Sequence, residues 1–324
     1  MIKEINLSAT IQEPLVNARL DVALKELFKE YSRATLTSWI KQGAVQINGV
    51  VQSLPKFKHL KLGDSIIIRV KLEDHSLAKG EAIALNVVYE DLDVIVINKP
   101  VGLVVHPGAG VANGTLMNGL LYRFPELSKL PRAGLVHRID KDTSGLLLIA
   151  RNLKSYNYLT KALQRREINR EYLALVRGNV LTGGVIDQPI MRDTQQRVRM
   201  KVASKQATTS AKVRQAVTYY WIAKKFKHHT LLRLKLATGR THQIRVHLAF
   251  LGYPIVGDQV YSRFKGKEDS FSDLNANAQA VLRSFKHQAL HAASLTFKHP
   301  ATLEPVSFSA SPPLDFQRLI DALI

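Results

Sequence analysis

The stretch "GLVHRIDKDTSGLLLIA", Gly134 to Ala150, sets four charged side chains, Arg138, Asp140, Lys141 and Asp142, between two apolar runs that read as buried strands. A charge at the mouth of a core strand is costly to desolvate unless it is paired, so each of the four is a candidate for chemistry. Thr143, Ser144 and Gly145 follow, residues that hold a short loop rigid through local hydrogen bonds. A second patch, "TGRTHQIRVH", carries Arg240, His242 and Arg245, with Thr241 placed to cap a helix whose face presents His242 and Arg245 three residues apart. Between the two lies Tyr172, in the strand-like "REYLALV". A carboxylate, a guanidinium and an aromatic ring on three segments can converge on a flat apolar substrate such as a nucleobase.

Other chemistries lack their residues. There is no G-x-x-x-x-G-K-[ST] loop and no G-x-G-x-x-G, so nucleotide-cofactor chemistry has no anchor. His242 and His247 are five apart and miss the H-E-x-x-H spacing of a zinc site. His228 and His229 are neighbours pointing apart on a strand, which reads as surface. "HRID" differs from the kinase loop H-R-D-x-x-x-x-N in the position of its Asp, and the other kinase motifs are absent. With no cysteine in 324 residues, disulfides and thiolate metal sites are excluded, and a reducing cytoplasm fits.

The elements that must hold these residues are legible as patterns. Leu20, Ala23, Leu24, Leu27 and Phe28 fall on one helical face, and Leu36, Trp39 and Ile40 repeat it in a second helix, with Ser32 as N-cap and Gly43 at its end. Asn48-Gly49 predicts a hairpin turn, and "LKLGDSIIIRV" a turn and a strand. "EDHSLAKGEAIA" reads as a linker. Beyond it, "VVYEDLDVIVINKP" predicts two strands around an acidic turn stopped by Pro100, while "EYLALVRG" and "TLLRLKLATG" alternate as half-buried antiparallel strands do. "NLKSYNYLTKALQRR" and "THQIRVHLAFLG" are helical. The fold class expected is α+β, a mixed and mainly antiparallel sheet domain over 85–324, after a small α/β module over 1–75 and a linker over 76–84.

Charge is distributed unevenly. The formal net charge is +20, and residues 151–250 alone hold 21 Lys and Arg against 4 Asp and Glu. A field so localised favours a polyanion, with nucleic acid the default. No apolar run approaches the length of a membrane span, no long basic amphipathic helix suggests a membrane surface, and "MIKEINLSATIQEP" lacks a signal-peptide core, so no membrane partner is expected.

"RLD", "SR", "G-x-V-x-I-N-G" and "LGDSI", in that order, resemble an S4 RNA-binding domain, with Arg33, Lys41, Lys56, Lys58 and Lys61 available for phosphate. "HRIDKDTSG", "REYLALV" and "TGRTHQIRVH" resemble the three signature motifs of the RluA family of pseudouridine synthases, and "INKPVGLVVHPGAG" and "QALHAASLTFKHP" resemble its flanking segments. Ile139, where the family usually has Leu, is a conservative departure. The resemblance implies an isomerase that detaches uracil from its ribose, rotates it and rejoins it through C5, with no cofactor and no metal. Carried over residue by residue, Asp140 is the catalytic carboxylate, either nucleophile at C1′ or base at the 2′ proton. Arg245 is the cation that offsets its desolvation, ahead of Arg240, and Tyr172 stacks on the uracil. The target base must be flipped out of the RNA, and Arg138 fills the vacated space. Arg165, Arg166, Arg240 and His242 are expected on the RNA face. His137 is expected to be structural, and Asp142 to pair with a surface cation or to cap the turn. The overall likeness implies uridines of helix 69 in large-subunit ribosomal RNA, free or in a pre-ribosomal particle, as the target of a cytoplasmic monomer. Other ribosomal or transfer RNA uridines, or a non-catalytic role in ribosome assembly, are the alternatives.

Overall fold

A computed structural model describes residues 2–31, 33–73, 79–108, 110–196, 199–204, 213–262 and 273–324, and all structural facts concern these residues. Contacts divide the chain into Met1–Leu77 and Ala78–Ile324.

In the first unit the helical spacing is realised in α1 (Leu20–Leu27) and α2 (Arg33–Lys41), which bury Leu20, Ala23, Leu24, Leu36, Trp39 and Ile40. Ser32, the expected cap of α2, lies outside the described residues. Gly43 ends α2 at φ 73°, in the left-handed region that suits glycine. The helices cover a four-stranded sheet of β1 (Ile2–Thr10), β2 (Val45–Ile47), β3 (Val50–Val51) and β4 (Ser65–Glu73), ordered β1-β4-β2-β3. Asn48 and Gly49 both have positive φ, 51° and 82°, as a type I′ hairpin turn between β2 and β3 requires.

The second unit is built on one large sheet. Its strands are β5 (Val87–Glu90), β6 (Val94–Lys99), β7 (Ser144–Ala150), β8 (Asn169–Arg177), β9 (Gly184–Asp187), β12 (Val217–Lys225), β13 (His229–Leu236), β14 (Leu290–Lys298) and β15 (Pro305–Ser309). The order is β5-β6-β7-β14-β8-β13-β12-β9, with β15 beside β14. A separate ribbon pairs β10 (Ile190–Arg192) with β11 (Met200–Val202). Of the described pairings only β7–β14 is parallel, so the sheet is mixed and mainly antiparallel as expected. Helices are α3 (Leu116–Arg123), α4 (Leu153–Gln164), α5 (Gln243–Leu251), α6 (Ala276–Ser284) and α7 (Leu314–Asp321).

The period of two along the strands sorts side chains between two cores. Ile95, Ile97, Leu147, Ile149 and Tyr172 join the larger core with α3 and α5, whereas Val94, Val96, Leu146, Leu148 and Ala150 pack beneath α4. β7 is therefore buried on both faces along its whole length, which explains its unbroken apolar run. Residues 76–78 of the expected linker lie outside the described residues. Residues 79–84 are tied to α3, through Asn118 Nδ2 donating to the Lys79 carbonyl at 2.9 Å and the Glu81 N–H donating to the Asn118 carbonyl at 3.0 Å.

Gly145 lets β7 meet β14. It opposes Ala292 at φ 111°, and a Cβ there would lie 2.3 Å from the Ala292 carbonyl oxygen. Gly145→Ala combines strain with a backbone clash and is expected to cost about 3 kcal/mol or more of stability. Urea unfolding checks this, and an unchanged midpoint would refute the close-approach account.

Candidate active site

Asp140 sits in the loop that leads into β7, six residues before the first leucine of its apolar run. Arg245, two residues into α5, reaches it through Nη1 at 3.0 Å from Oδ2. The rest of the Arg245 fork is held by Asp258, Nε to Oδ2 at 2.7 Å and Nη2 to Oδ1 at 2.9 Å. Asp258 is fully buried and also accepts the N–H groups of Val260 and Tyr261, at 2.8 and 3.0 Å. Burial works against the Asp258 charge, but the Arg245 hydrogen bonds and charge outweigh it and hold the carboxyl below its ordinary range. Burial opposes the Arg245 charge too, and Asp258 and then Asp140 more than offset it, so its pKa is raised.

Tyr261 completes this assembly. Its ring lies 5.1 Å from the Arg245 guanidinium carbon, and its hydroxyl is 2.9 Å from His242 Nδ1 and accepts from the Met200 N–H at 2.8 Å. His242 Nε2 stands 3.9 Å from Asp140 Oδ1, and burial lowers the His242 pKa against the opposing pull of Asp140. The imidazole therefore favours its neutral form beside the carboxylate.

The expected cap of α5 is corrected. Thr241 does not cap the helix; His242 occupies the N-cap position at φ 55°, with no side-chain cap bond. The turn is held instead by Gln243, whose Oε1 accepts from the Arg240 N–H at 3.0 Å and the Thr238 hydroxyl at 2.8 Å. The left-handed turn at His242 is what brings its ring and Arg245 to the same carboxylate.

Tyr172 is buried in β8, opposite Leu234 of β13 and Ala292 of β14. Burial raises its phenol pKa, with Arg170 opposing and Asp140 adding to the shift. Arg138, Ile139, Asp140, Thr143, Arg170, Tyr172, Arg240, His242 and Arg245 line one cavity of about 90 Å³, floored by Leu236, Ile244 and Leu290. That is room for about three waters, the size class of one small ring. Its lining is mixed, with Ile139, Leu236, Ile244 and Leu290 beside the charged groups.

Arg138 is exposed on the cavity rim. Arg240 lines the cavity but donates to the Gln215 carbonyl at 3.1 Å and makes no described ion pair with Asp140. Arg165 and Arg166 are exposed at the end of α4, and only Arg166 lines the cleft that adjoins the cavity. His137 is buried and accepts the Leu148 N–H at Nε2, a structural role, with burial and then Arg170 pushing it down to about 3. His229, expected at the surface, is instead fully buried and held down to about 4, chiefly by burial, while its neighbour His228 pairs with Asp273 at 2.8 Å. Asp142, expected to pair with a surface cation or to cap the turn, makes no ion pair among the described residues; its charge, with that of Asp140, opposes the effect of burial on Lys99. Lys99 Nζ donates to the carbonyls of Pro100 and Lys141, at 2.6 and 2.8 Å, and burial pulls its pKa down to about 8. It clamps the loop that carries Asp140.

In the first unit, Arg33 is bound to Asp21 at 2.7 Å, beside Arg19 at 3.0 Å. A basic cleft of about 780 Å³ lies there, lined by Arg19, Lys41, Lys56 and Lys58 but not by Arg33 or Lys61. Asp258, Tyr261, Lys99 and Arg170 were not singled out from sequence. "GYPIVGDQVY" carried one usable signal: Asp258 is a lone acid in an apolar, glycine-punctuated stretch, costly to bury unless paired.

A family model described as RNA pseudouridylate synthase matches residues 93–250, which hold Asp140, Tyr172 and Arg245, and one described as S4 domain matches residues 18–66. The chain is 45% identical over 320 residues to the ribosomal large subunit pseudouridine synthase D of Pasteurella multocida, spanning 99% of this chain and 95% of that protein. The protein of the same name in Haemophilus influenzae matches with the same identity and the same coverage. Among solved structures, human RNA pseudouridylate synthase domain containing 1 superposes with a TM-score of 0.54 at 28% identity, over 72% of this chain and 86% of that one. Human RNA pseudouridylate synthase domain containing 4 shares the fold at a TM-score of 0.55 and 24% identity, over 74% and 92%.

Proposed function

Since the chain belongs to the RNA pseudouridylate synthase family, and is an isomerase acting on RNA, we propose that it converts uridines of large-subunit ribosomal RNA to pseudouridine, with helix 69 as the target and Asp140 as the catalytic carboxylate. The observation that carries the reading is the Asp258–Arg245–Asp140 chain at the mouth of a cavity the size of one small ring. The relatives named for the large ribosomal subunit, similar over nearly their whole length, support the substrate.

The reaction breaks the N1–C1′ bond, forms C5–C1′, moves a proton from C5 and places one on N1, so it balances without oxidant or imported group. The target base enters the cavity only after leaving its stack, at a cost of a few kcal/mol, and Arg138 on the rim occupies the space it vacates. Tyr172 stacks on the uracil. Asp140 either attacks C1′ or takes the 2′ proton; both need an ionised, unprotonated oxygen. Arg245 binds Oδ2, which leaves Oδ1 without a hydrogen bond among the described residues and with neutral His242 3.9 Å away. Asp258 keeps Arg245 oriented so that the cation stabilises the carboxylate without closing over both oxygens. Localised basic charge on residues 151–250 and the cleft in the first unit supply phosphate contacts. No helix among the described residues is long and apolar enough to cross a membrane, and the enzyme is proposed to act as a cytoplasmic monomer on free RNA or a pre-ribosomal particle.

The substrate is tested by incubating the protein with a large-subunit RNA fragment containing helix 69 and with transfer RNA. Pseudouridines are mapped by primer extension after carbodiimide treatment. Conversion confined to helix 69 is expected. Conversion of transfer RNA alone would move the target, and binding of either RNA without conversion would favour an assembly factor.

A further inference from the structure

Beside the cavity a guanidinium is buried without an acid to pair with. Arg170, the second residue of β8, is 9% exposed, and its Nε has no hydrogen-bond partner. Among the described residues no carboxylate lies within ion-pairing distance of it, whereas Arg245, as deeply buried, has two. Burying an unpaired cation is costly, so this guanidinium lacks the anion its position calls for.

The surroundings point to the same missing anion. A cleft of about 490 Å³ is lined by Arg132, Arg138, Arg166, Arg170 and Arg240, and by no Asp or Glu. It shares Arg138, Arg170, Gly239 and Arg240 with the Asp140 cavity, so the two adjoin. Gly239 makes the approach possible, since a Cβ there would fall 2.8 Å from Arg170 Nη1.

Arg166 adds an independent sign. It follows α4 at φ 63°, its N–H donating to the Leu163 carbonyl at 3.1 Å and the Glu167 N–H to the Ala162 carbonyl at 2.9 Å. This is the Schellman pattern, and its left-handed position is one that glycine usually fills. An arginine there strains the backbone in return for a side chain in the cleft.

We propose that the cleft is a phosphate site, taking the phosphodiester next to the nucleotide whose base enters the Asp140 cavity, with Arg170 on its floor and Arg166 and Arg132 around it. This rests on the RNA substrate proposed above. A phosphate is the anion that such a substrate carries past every flipped base, and its oxygens accept several guanidinium hydrogen bonds at once. The site fixes the register of the strand by its charge, independently of base identity.

The test uses the full chain and a helix 69 fragment carrying one uncharged methylphosphonate linkage, on a 2′-O-methyl sugar, directly 5′ or 3′ of the target uridine. The reference is the same sugar with an ordinary phosphate. At one of the two linkages, loss of charge is expected to weaken wild-type binding about tenfold or more. Arg170→Met is expected to bind its reference RNA more weakly, to show no further loss with the neutral linkage, and to melt higher than the wild type because an unpaired buried charge is gone. Arg166→Gly is expected to melt higher as well, and to reduce the salt slope of RNA binding by about one unit; it serves if Arg170→Met does not fold. An equal penalty in wild type and variants, or no penalty at either linkage, overturns the phosphate site. So does a lowered melting temperature of Arg166→Gly with an unchanged salt slope. Conversion of the unmodified fragment is scored in parallel: conversion without coupling rejects the site alone, and absence of both conversion and binding rejects the substrate reading and the site with it.

Discussion

Asp140→Asn is expected to slow uridine conversion by at least about 10³-fold, within the range that a positioned acid–base or nucleophilic group supplies, while RNA affinity and folding stay close to wild type. The asymmetry follows from the way Arg245 is held. Asn keeps an oxygen where Arg245 Nη1 donates at 3.0 Å, so the contact survives without its charge. Arg245 is not stranded, because the fully buried Asp258 binds it through Nε and Nη2. What is lost is the oxygen that attacks C1′ or removes the 2′ proton. Single-turnover conversion, RNA binding and thermal unfolding measured on one preparation separate the two roles. A variant that converts RNA at more than a tenth of the wild-type rate would remove Asp140 from the chemistry. One that fails to fold would make it a structural ion-pair member instead.

Asp258→Ala is expected to damage stability and rate together. It leaves the buried Arg245 fork half unpaired and deprives the Val260 and Tyr261 N–H groups of their acceptor. Breaking a buried pair from one side costs about 3–5 kcal/mol. Arg245 is then free to swing fully onto Asp140, and a displacement of about 1 Å at the reacting carboxylate costs roughly 10²-fold in rate. Linkage gives a further signature. The Asp258 carboxyl is held below its ordinary value of about 3.9 in the folded protein, so its contribution is complete above that pH and is lost as pH falls through the lower folded value. The stability gap between wild type and Asp258→Ala should therefore be widest at neutral pH and should shrink in acid. Urea unfolding at pH 7 and below pH 4 measures it. A constant gap, or wild-type turnover in the variant, would contradict the anchoring role.

The sequence carried the local geometry well and the long-range geometry poorly, for physical reasons. Spacing alone placed Leu20, Ala23 and Leu24 on the buried face of α1, because a helix repeats every 3.6 residues whatever it packs against. Asn48-Gly49 announced its turn, because few other pairs accept two positive φ angles. The insertion of β14 between β7 and β8 left no trace in periodicity, since strand order is decided by which faces bury each other. Thr241 looked like a cap because its type favours one, yet the bonds of Gln243 to Thr238 and Arg240 impose the left-handed turn one residue later. His229 looked exposed because alternation on a strand says which residues share a face but not which face is covered. At the site, the meeting of Asp140 and Arg245 across 105 residues was named through family motifs, not spacing. Asp258, 13 residues after Arg245, belongs to no such motif, and only the folded loop shows that it holds the arginine.

The central claim is that this pocket moves uracil from N1 to C5 using Asp140, and release of tritium from C5 reports that step directly. A large-subunit RNA fragment containing helix 69, labelled at uracil C5, is incubated with the wild type and with Asp140→Ala. The wild type is expected to release tritium in step with pseudouridine formation, and Asp140→Ala to bind the RNA and release none. Wild-type binding without release, or equal release by both proteins, would contradict the account.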